Sequence, residues 1–480
     1  MTTVRMECDS LGEKAVPVDA YYGIQTLRGS ENFPVTGIPI SSYPVFIKAM
    51  ALVKKSTAMA NQELGLLDSA LTGPICQACD EIISGKFLDE FHTDVLQGGG
   101  GTTANMNINE VVANRALEIM GHDKGDYETL HPNNHVNMGQ STNDAYPTSI
   151  RVALHLMLGH LLEQMGILRN SLAKKGKEFR TVIKLGRTEL QDAVPMTLGQ
   201  EFDAYALLVD EDMRQVKNSQ DLIVEINLGA TAIGTGINAH PDYAALAAKY
   251  LAECSGVPVY TAPNLIEATQ DCGGYVQLSG ILKRIAVKFS KICNDLRLLS
   301  SGPRGGLNEI NLPKMQPGST IMPGKVNPVI PDMMIQVCYQ VIGADISITM
   351  AAQAGQLELN ANEPLIAHML FQSITNLGKA CSILSERCIN GITANEDVCE
   401  NMVKNSIGLA TALNPVIGYS QAAQVAQEAH RKGKSIYDIV LEKGILDKDE
   451  LDKILSPRNM MEPRSFVLYR NSGGKNIPET

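Results

Sequence analysis

Between Gly318 and Pro328 the chain reads Gly-Ser-Thr-Ile-Met-Pro-Gly-Lys-Val-Asn-Pro. This short stretch holds a hydroxyl able to take or give a proton (Ser319), a second hydroxyl (Thr320), a cation (Lys325) and an amide (Asn327). Gly318, Pro323, Gly324 and Pro328 exclude a regular helix and predict a loop with built-in bends. Long helical patterns flank it, Gln277–Ser300 before and Met333–Leu357 after. Polar groups on a loop carried by a rigid apolar scaffold suit catalysis. An ordinary surface connection is the competing reading, and the crowding of functional groups argues against it.

Three further polar segments carry groups of the same kind. Gly98–Gly101 precede Thr102 and Thr103. The Gly-Lys-Ser/Thr of a phosphate loop is missing, which leaves either a flexible turn delivering Thr102 and Thr103 to a small carboxylate or a plain linker. Gln140-Ser141-Thr142-Asn143-Asp144 stands before a helical run from Thr148 to about Arg180. Such a cluster caps a helix, and the same hydroxyls and helix end also suit a carboxylate ligand. Gly186–Pro195, with Thr188 and Glu189, reads as a third polar loop ahead of a helix over Thr197–Leu228.

The elements that must position these loops are mainly helical. Apolar steps of three and four mark one face of Gln277–Ser300 through Leu278, Ile281, Ile285, Phe289, Ile292, Leu296 and Leu299. Helices are also predicted over Val45–Leu64, Gly73–Ser84, Met106–Met120, His240–Glu253 and Ile266–Cys272. Val329–Leu359 is apolar nearly all round, which predicts a helix buried on all sides in a bundle centre shared between subunits. Strand alternation is rare, so the fold class is all-α. After about Asn395 the segments shorten, and the polar tail Pro457–Thr480 is expected to be partly loose.

At 480 residues, 44% of them hydrophobic, the chain is long enough for more than one core. A formal net charge of −11 argues against capture by nucleic acid or an anionic membrane. The polar start Met1–Ser10 does not read as a signal peptide, and no uninterrupted apolar run reaches membrane-spanning length, so a cytoplasmic protein is expected. Ten cysteines fit reduced, mostly buried thiols, and Cys76 and Cys79 fit a packed helix face rather than zinc or redox chemistry. Gly433-Lys434-Ser435 lacks the upstream glycine of a phosphate loop.

Taken together, Gly318–Pro328, Gln140–Asp144, Gly186–Ala193 and Gly98–Glu110 resemble the signature blocks of the fumarase/aspartase superfamily. The likeness extends over nearly the whole chain and includes Ala20–Phe33 and Asn390–Glu400. It implies a homotetramer whose long central helical bundle is shared, with each active site built from three chains. It also implies smaller terminal domains: 1–140, a central 141–395 holding the catalytic loop 317–328, and 396–480.

The resemblance further implies a carbon–nitrogen lyase that removes a Cβ proton from L-aspartate and expels ammonia to leave fumarate. Ser319 matches the general base. Thr102, Ser141, Thr142 and Thr320 match the holders of the β-carboxylate, and Thr188, Lys325 and Asn327 those of the α-carboxylate. Asn143 matches a contact to the amino group. Glu189 stands where many members carry His and some Gln, and its carboxylate would favour a substrate with an ammonium. His131, Asn133 and Asn134 are similar to a secondary anion site of fumarases and are given no function. No cofactor is implied as required and no metal ligands are assigned, although Mg²⁺ activates relatives. Fumarate hydratase, or a lyase acting on a substituted aspartate, is the alternative activity. A catalytically silent structural oligomer is opposed by the intact Ser319, Lys325 and Asn327.

Overall fold

The computed structural model describes residues 3–461. Of the polar tail, only the short helix Pro457–Met461 falls within them. The chain opens with an antiparallel hairpin, β1 (Val4–Asp9) and β2 (Gly12–Pro17), followed by α1 (Ile24–Asn32), α2 (Pro44–Glu63), α3 (Ser69–Ile83) and α4 (Thr102–Ile119). Next come α5 (Thr142–Glu178), a second hairpin of β3 (Ile183–Thr188) and β4 (Gln191–Thr197), α6 (Leu198–Ser219), α7 (Tyr243–Ser255), α8 (Leu265–Gln270) and α9 (Gly273–Leu299). After the loop that ends at Pro328 come α10 (Val329–Gln353), α11 (Glu363–Arg387), α12 (Glu396–Asn405) and a series of short helices. The all-α expectation holds.

The chain divides into two units. Unit 1 takes the residues up to Gln164 with Asp212–Val287 and Gln336–Lys379; unit 2 takes Met165–Glu211, Lys288–Ile335 and the residues from Ala380 onward. The division falls within α5, α6, α9, α10 and α11.

In unit 1, α2 packs against α3 and α7. Phe46 of α2 meets Tyr146 edge-on at 5.5 Å and Phe371 at 5.2 Å, tying α2 to α5 and α11. Helix α1 has no capping side chain of its own. Its orphan N–H groups are met by two buried carboxylates. Glu110 Oε2 accepts from Gly23 N at 2.8 Å, and from Thr26 N and Oγ1 at 3.1 and 2.6 Å. Glu110 Oε1 accepts from Gln25 N at 2.9 Å, and Glu7 Oε2 from Ile24 N at 2.8 Å. A Cβ on residue 23 would lie 2.7 Å from Glu7 Oε2, so this position admits only glycine.

In unit 2, Leu185, Val403, Leu413, Val425, Ile439 and Leu451 form a core beneath the second hairpin and the short C-terminal helices. Gly408 packs against the hairpin backbone so closely that a Cβ there would overlap Ala193 O. Ser406 Oγ donates to Asp192 Oδ2 at 2.9 Å.

Several expectations are corrected. Gly186–Pro195 is a hairpin rather than a loop, bulged between Leu185 and Arg187. A Cβ on residue 186 would sit 2.7 Å from Val194 O, so the glycine is what allows the irregular pairing. The helix expected to reach Leu228 ends at Ser219, and the one expected to reach Leu359 ends at Gln353 before Leu357 takes a left-handed φ of 54°. Helices α4 and α5 begin at Thr102 and Thr142, earlier than their apolar periodicity suggests. On α9 it is Leu282 rather than Ile281 that joins the buried stripe.

Helix α10 is not buried on all sides within one chain: Tyr339, Ile346 and Met350 are each 60% exposed. By length and composition it also qualifies as a membrane span, which the sequence reading did not grant it. Asp345 in its middle receives Ser279 Oγ at 2.7 Å and Lys283 Nζ at 2.6 Å, which fastens it to α9. The Cys76 and Cys79 expectation is met: both lie on α3, and burial pushes the Cys76 thiol up to about 11.

Candidate active site

The loop of unit 2 is closed by its own backbone. Gly318 N donates to Lys325 O at 2.7 Å, and Asn327 Nδ2 donates to Gly318 O at 2.8 Å. A Cβ on residue 318 would lie 2.7 Å from Lys325 O, so the neck needs glycine, and Gly324 turns the far side with a φ of 84°. Inside this ring Ser319 Oγ accepts two backbone N–H groups, from Ile321 at 3.2 Å and Met322 at 3.0 Å. Two donors aimed at one oxygen favour its anionic form over the hydroxyl, which a serine base requires. Thr320 and Lys325 are exposed on the ring and Asn327 is half-buried at its neck.

Thr188 and Glu189 stand exposed at the tip of the β3–β4 hairpin, also in unit 2. Glu189 and Leu190 form its two-residue turn with φ of 52° and 63°, a left-handed pair that side chains other than Gly and Asn seldom occupy. The base of the hairpin is fixed electrostatically. Glu309, wholly buried, lies 2.6 Å from Arg187 Nη1 and 3.2 Å from Lys184 Nζ, and Lys184 also reaches Glu201 at 2.7 Å.

The remaining candidates lie in unit 1. Three successive glycines, 99 to 101, adopt left-handed φ and feed directly into α4 as a structured turn. A Cβ on residue 101 would strike the Tyr146 ring at 2.6 Å. Thr102 is exposed, and its hydroxyl donates to Gly99 O at 2.8 Å.

At the start of α5, Ser141 Oγ accepts from Asn143 N at 3.2 Å while Asp144 Oδ1 accepts from Ser141 N at 2.9 Å, a reciprocal cap. Asp144 is buried, and burial pushes its carboxyl up to about 7 against three backbone N–H donors, two of them Gly229 and Thr231 at 3.0 Å. Pro147 lacks the N–H that would bond Asn143 O, and Asn227 Nδ2 takes that oxygen at 2.9 Å. Asn143 Nδ2 donates to Ala232 O at 2.7 Å, which leaves its Oδ1 as acceptor, the polarity an ammonium needs.

Sequence reasoning missed Lys54 and its surroundings. Lys54, 1% exposed on α2, donates to Asn105 Oδ1 and Gln140 Oε1 at 2.7 Å and to Asn137 Oδ1 at 3.0 Å. Burial pushes its ammonium down to about 7, with the Asp144 carboxylate opposing. Asn105 Nδ2 in turn reaches Thr142 Oγ1 at 3.3 Å. The signal was present: Ile47, Met50, Lys54, Ala58 and Asn61 follow helical spacing along one buried face. His131, whose Nδ1 accepts from Asn133 N at 3.0 Å, caps a short turn.

The candidates thus form three groups, one in unit 1 and two in unit 2: helix-start hydroxyls, a hairpin tip, and a self-closed loop whose serine oxygen accepts two backbone N–H groups. Residues 12–343 match the family model described as Lyase, and residues 409–462 match Fumarase C C-terminus. The chain belongs to the fumarase/aspartase superfamily of lyases.

An aspartate ammonia-lyase of Helicobacter pylori is 58% identical over 98% of this chain and 100% of its own. That of Escherichia coli is 54% identical over 96% of each. Among solved structures, the fumarate lyase:delta crystallin of Brucella melitensis bound to cobalt superposes with a TM-score of 0.94 at 52% identity, covering 96% of this chain and 100% of that one. A class II fumarase of Schistosoma mansoni superposes with 0.92 at 34%, again over 96% and 100%.

Proposed function

We propose that this enzyme catalyses the reversible deamination of L-aspartate to fumarate and ammonia. The observation that carries it is the likeness to aspartate ammonia-lyases at 54% and 58% identity over nearly the full chain. A fumarase superposes on the same fold at 34%, so the fold alone leaves hydration of fumarate as the runner-up and identity decides for ammonia.

The Cβ proton of aspartate is weakly acidic, and its removal is tolerable only if the electron pair moves into the β-carboxylate as an aci-carboxylate. Ser319 Oγ, held towards its anionic form by two N–H groups, takes the proton. Thr102, Ser141, Thr142 and Thr320 bind the β-carboxylate and the charge that develops there. Lys325, Asn327 and Thr188 grip the α-carboxylate, where a cation suits a permanent anion. Asn143 accepts from the ammonium, and Glu189 attracts it. The pair then returns from the carboxylate to form the double bond as the C–N bond breaks and ammonia leaves.

Clusters so distributed, with apolar side chains left exposed on α10, support a homotetramer in which three chains complete each site. On the same resemblance we propose a cytoplasmic enzyme that requires no cofactor and is open to activation by Mg²⁺.

The test is the ultraviolet absorbance of fumarate on mixing the protein with L-aspartate, and in parallel with L-malate. A rise with aspartate alone, lost in Ser319→Ala, supports the reading. A rise with malate alone makes the protein a fumarase, and silence with both overturns it. A chelator added to the aspartate assay separates an activating cation from an indifferent one.

A further inference from the structure

Lys54 touches none of the candidate site residues, yet its position determines what one of them can do. An ammonium only donates, and the three partners of Lys54 Nζ are the side-chain amide oxygens of Asn105, Asn137 and Gln140, at 2.7, 3.0 and 2.7 Å. An amide that turns its oxygen to Lys54 must turn its NH₂ away. The NH₂ groups therefore find acceptors on the far side: Gln140 Nε2 donates to Thr57 Oγ1 at 2.9 Å and Asn137 Nδ2 to Gln140 O at 3.1 Å. Asn105 Nδ2 donates to Asn137 Oδ1 at 3.2 Å and to Thr142 Oγ1 at 3.3 Å. A hydroxyl that accepts on its buried side keeps its proton for the other.

We propose that Lys54, acting through Asn105, is a positioning residue that fixes the Thr142 hydroxyl as a hydrogen-bond donor to the substrate β-carboxylate. The inference rests on the reading above that Thr142 meets that carboxylate. Without the lysine, the Asn105 amide is free to turn its oxygen to Thr142, and the hydroxyl proton is drawn inward. The donor would be lost where negative charge develops, so the effect belongs to the chemical step more than to substrate capture.

The experiment is a double-mutant cycle on the full-length enzyme with L-aspartate, comparing wild type, Lys54→Met, Thr142→Val and the double variant. Each single variant is expected to lower kcat by about 100- to 1000-fold, the scale of one lost oxyanion donor, with KM changed by less than about threefold. The double variant should be no slower than the slower single one. Multiplicative losses would show that Lys54 acts independently of Thr142 and would overturn the proposal while leaving the Thr142 assignment intact. An unchanged kcat in Thr142→Val would instead remove the assignment and the proposal with it. Should circular dichroism show Lys54→Met unfolded, the same cycle with Asn105→Leu decides: coupling to Thr142→Val supports the relay and additivity breaks it.

Discussion

Arg187 Nη1 and Glu309 Oε1 stand 2.6 Å apart, with the glutamate wholly buried and Lys184 on its second oxygen. The residue after Arg187 is Thr188, so this pair anchors the hairpin tip that carries the hydroxyl proposed to bind the α-carboxylate. Removing the carboxylate leaves Arg187 without its anion in a dry site, a loss on the order of 3–5 kcal/mol. Glu309→Gln should lower the urea midpoint and raise KM for aspartate through a displaced Thr188. A midpoint equal to wild type would contradict the anchor.

Glu110 holds the start of α1 by accepting from the backbone of Gly23, Gln25 and Thr26. Burial pushes its carboxyl from 4.5 up to about 7. Between those values the folded chain keeps a proton that the unfolded chain releases. This group therefore makes stability fall as pH rises from about 4.5 to about 7, and gives no slope outside that window. Glu110→Gln should abolish this part of the slope. It should also cost about 1–3 kcal/mol at neutral pH, because an amide turns donors onto donors. Urea midpoints followed across the window check both effects, and parallel slopes in the two proteins would refute the assignment.

Glu189 is exposed at the hairpin turn, where a carboxylate can meet the ammonium of aspartate but nothing equivalent on malate. Glu189→Gln should reduce the ratio of aspartate to malate turnover by about tenfold, the equivalent of one charge contact near 1.4 kcal/mol. The decisive readout is the ratio, since a lower rate with both substrates would point only to a disturbed turn.

Tyr339, Ile346 and Met350 recur at helical spacing on α10 and remain exposed in the single chain. Tyr339→Glu and Ile346→Glu should dissociate the oligomer in light scattering. Activity should disappear with it if, as proposed, three chains complete each site. Persisting activity in a monomer would refute shared sites.

The helices were legible because apolar periodicity survives in one dimension, as on α9 and α2. The β3–β4 hairpin was not, since its turn residues are Glu189 and Leu190 rather than Asn-Gly and a bulge at Gly186 breaks the alternation. The loop from Gly318 and the cap at Ser141 were visible as motifs, since local bonds between neighbours make them. The place of Lys54 on a buried helix face was there to be read from its spacing, but its partners were not, and Glu309 was not legible at all. Each looks like a solvated charge in sequence, and its partners arrive from segments that only the fold brings near. Helix α10 was legible as an apolar helix, but apolar character all round states what a surface avoids, not which chain covers it.

The ring from Gly318 to Asn327 is closed by one backbone bond and one side-chain amide, and its serine oxygen accepts two main-chain N–H groups. The side chains of Ile321, Met322 and Val326 point out of it and take no part in these bonds. The proposed base is thus carried as a self-contained cassette. Its outer side chains can be exchanged, and a differently shaped substrate fitted, without touching the atoms that move the proton.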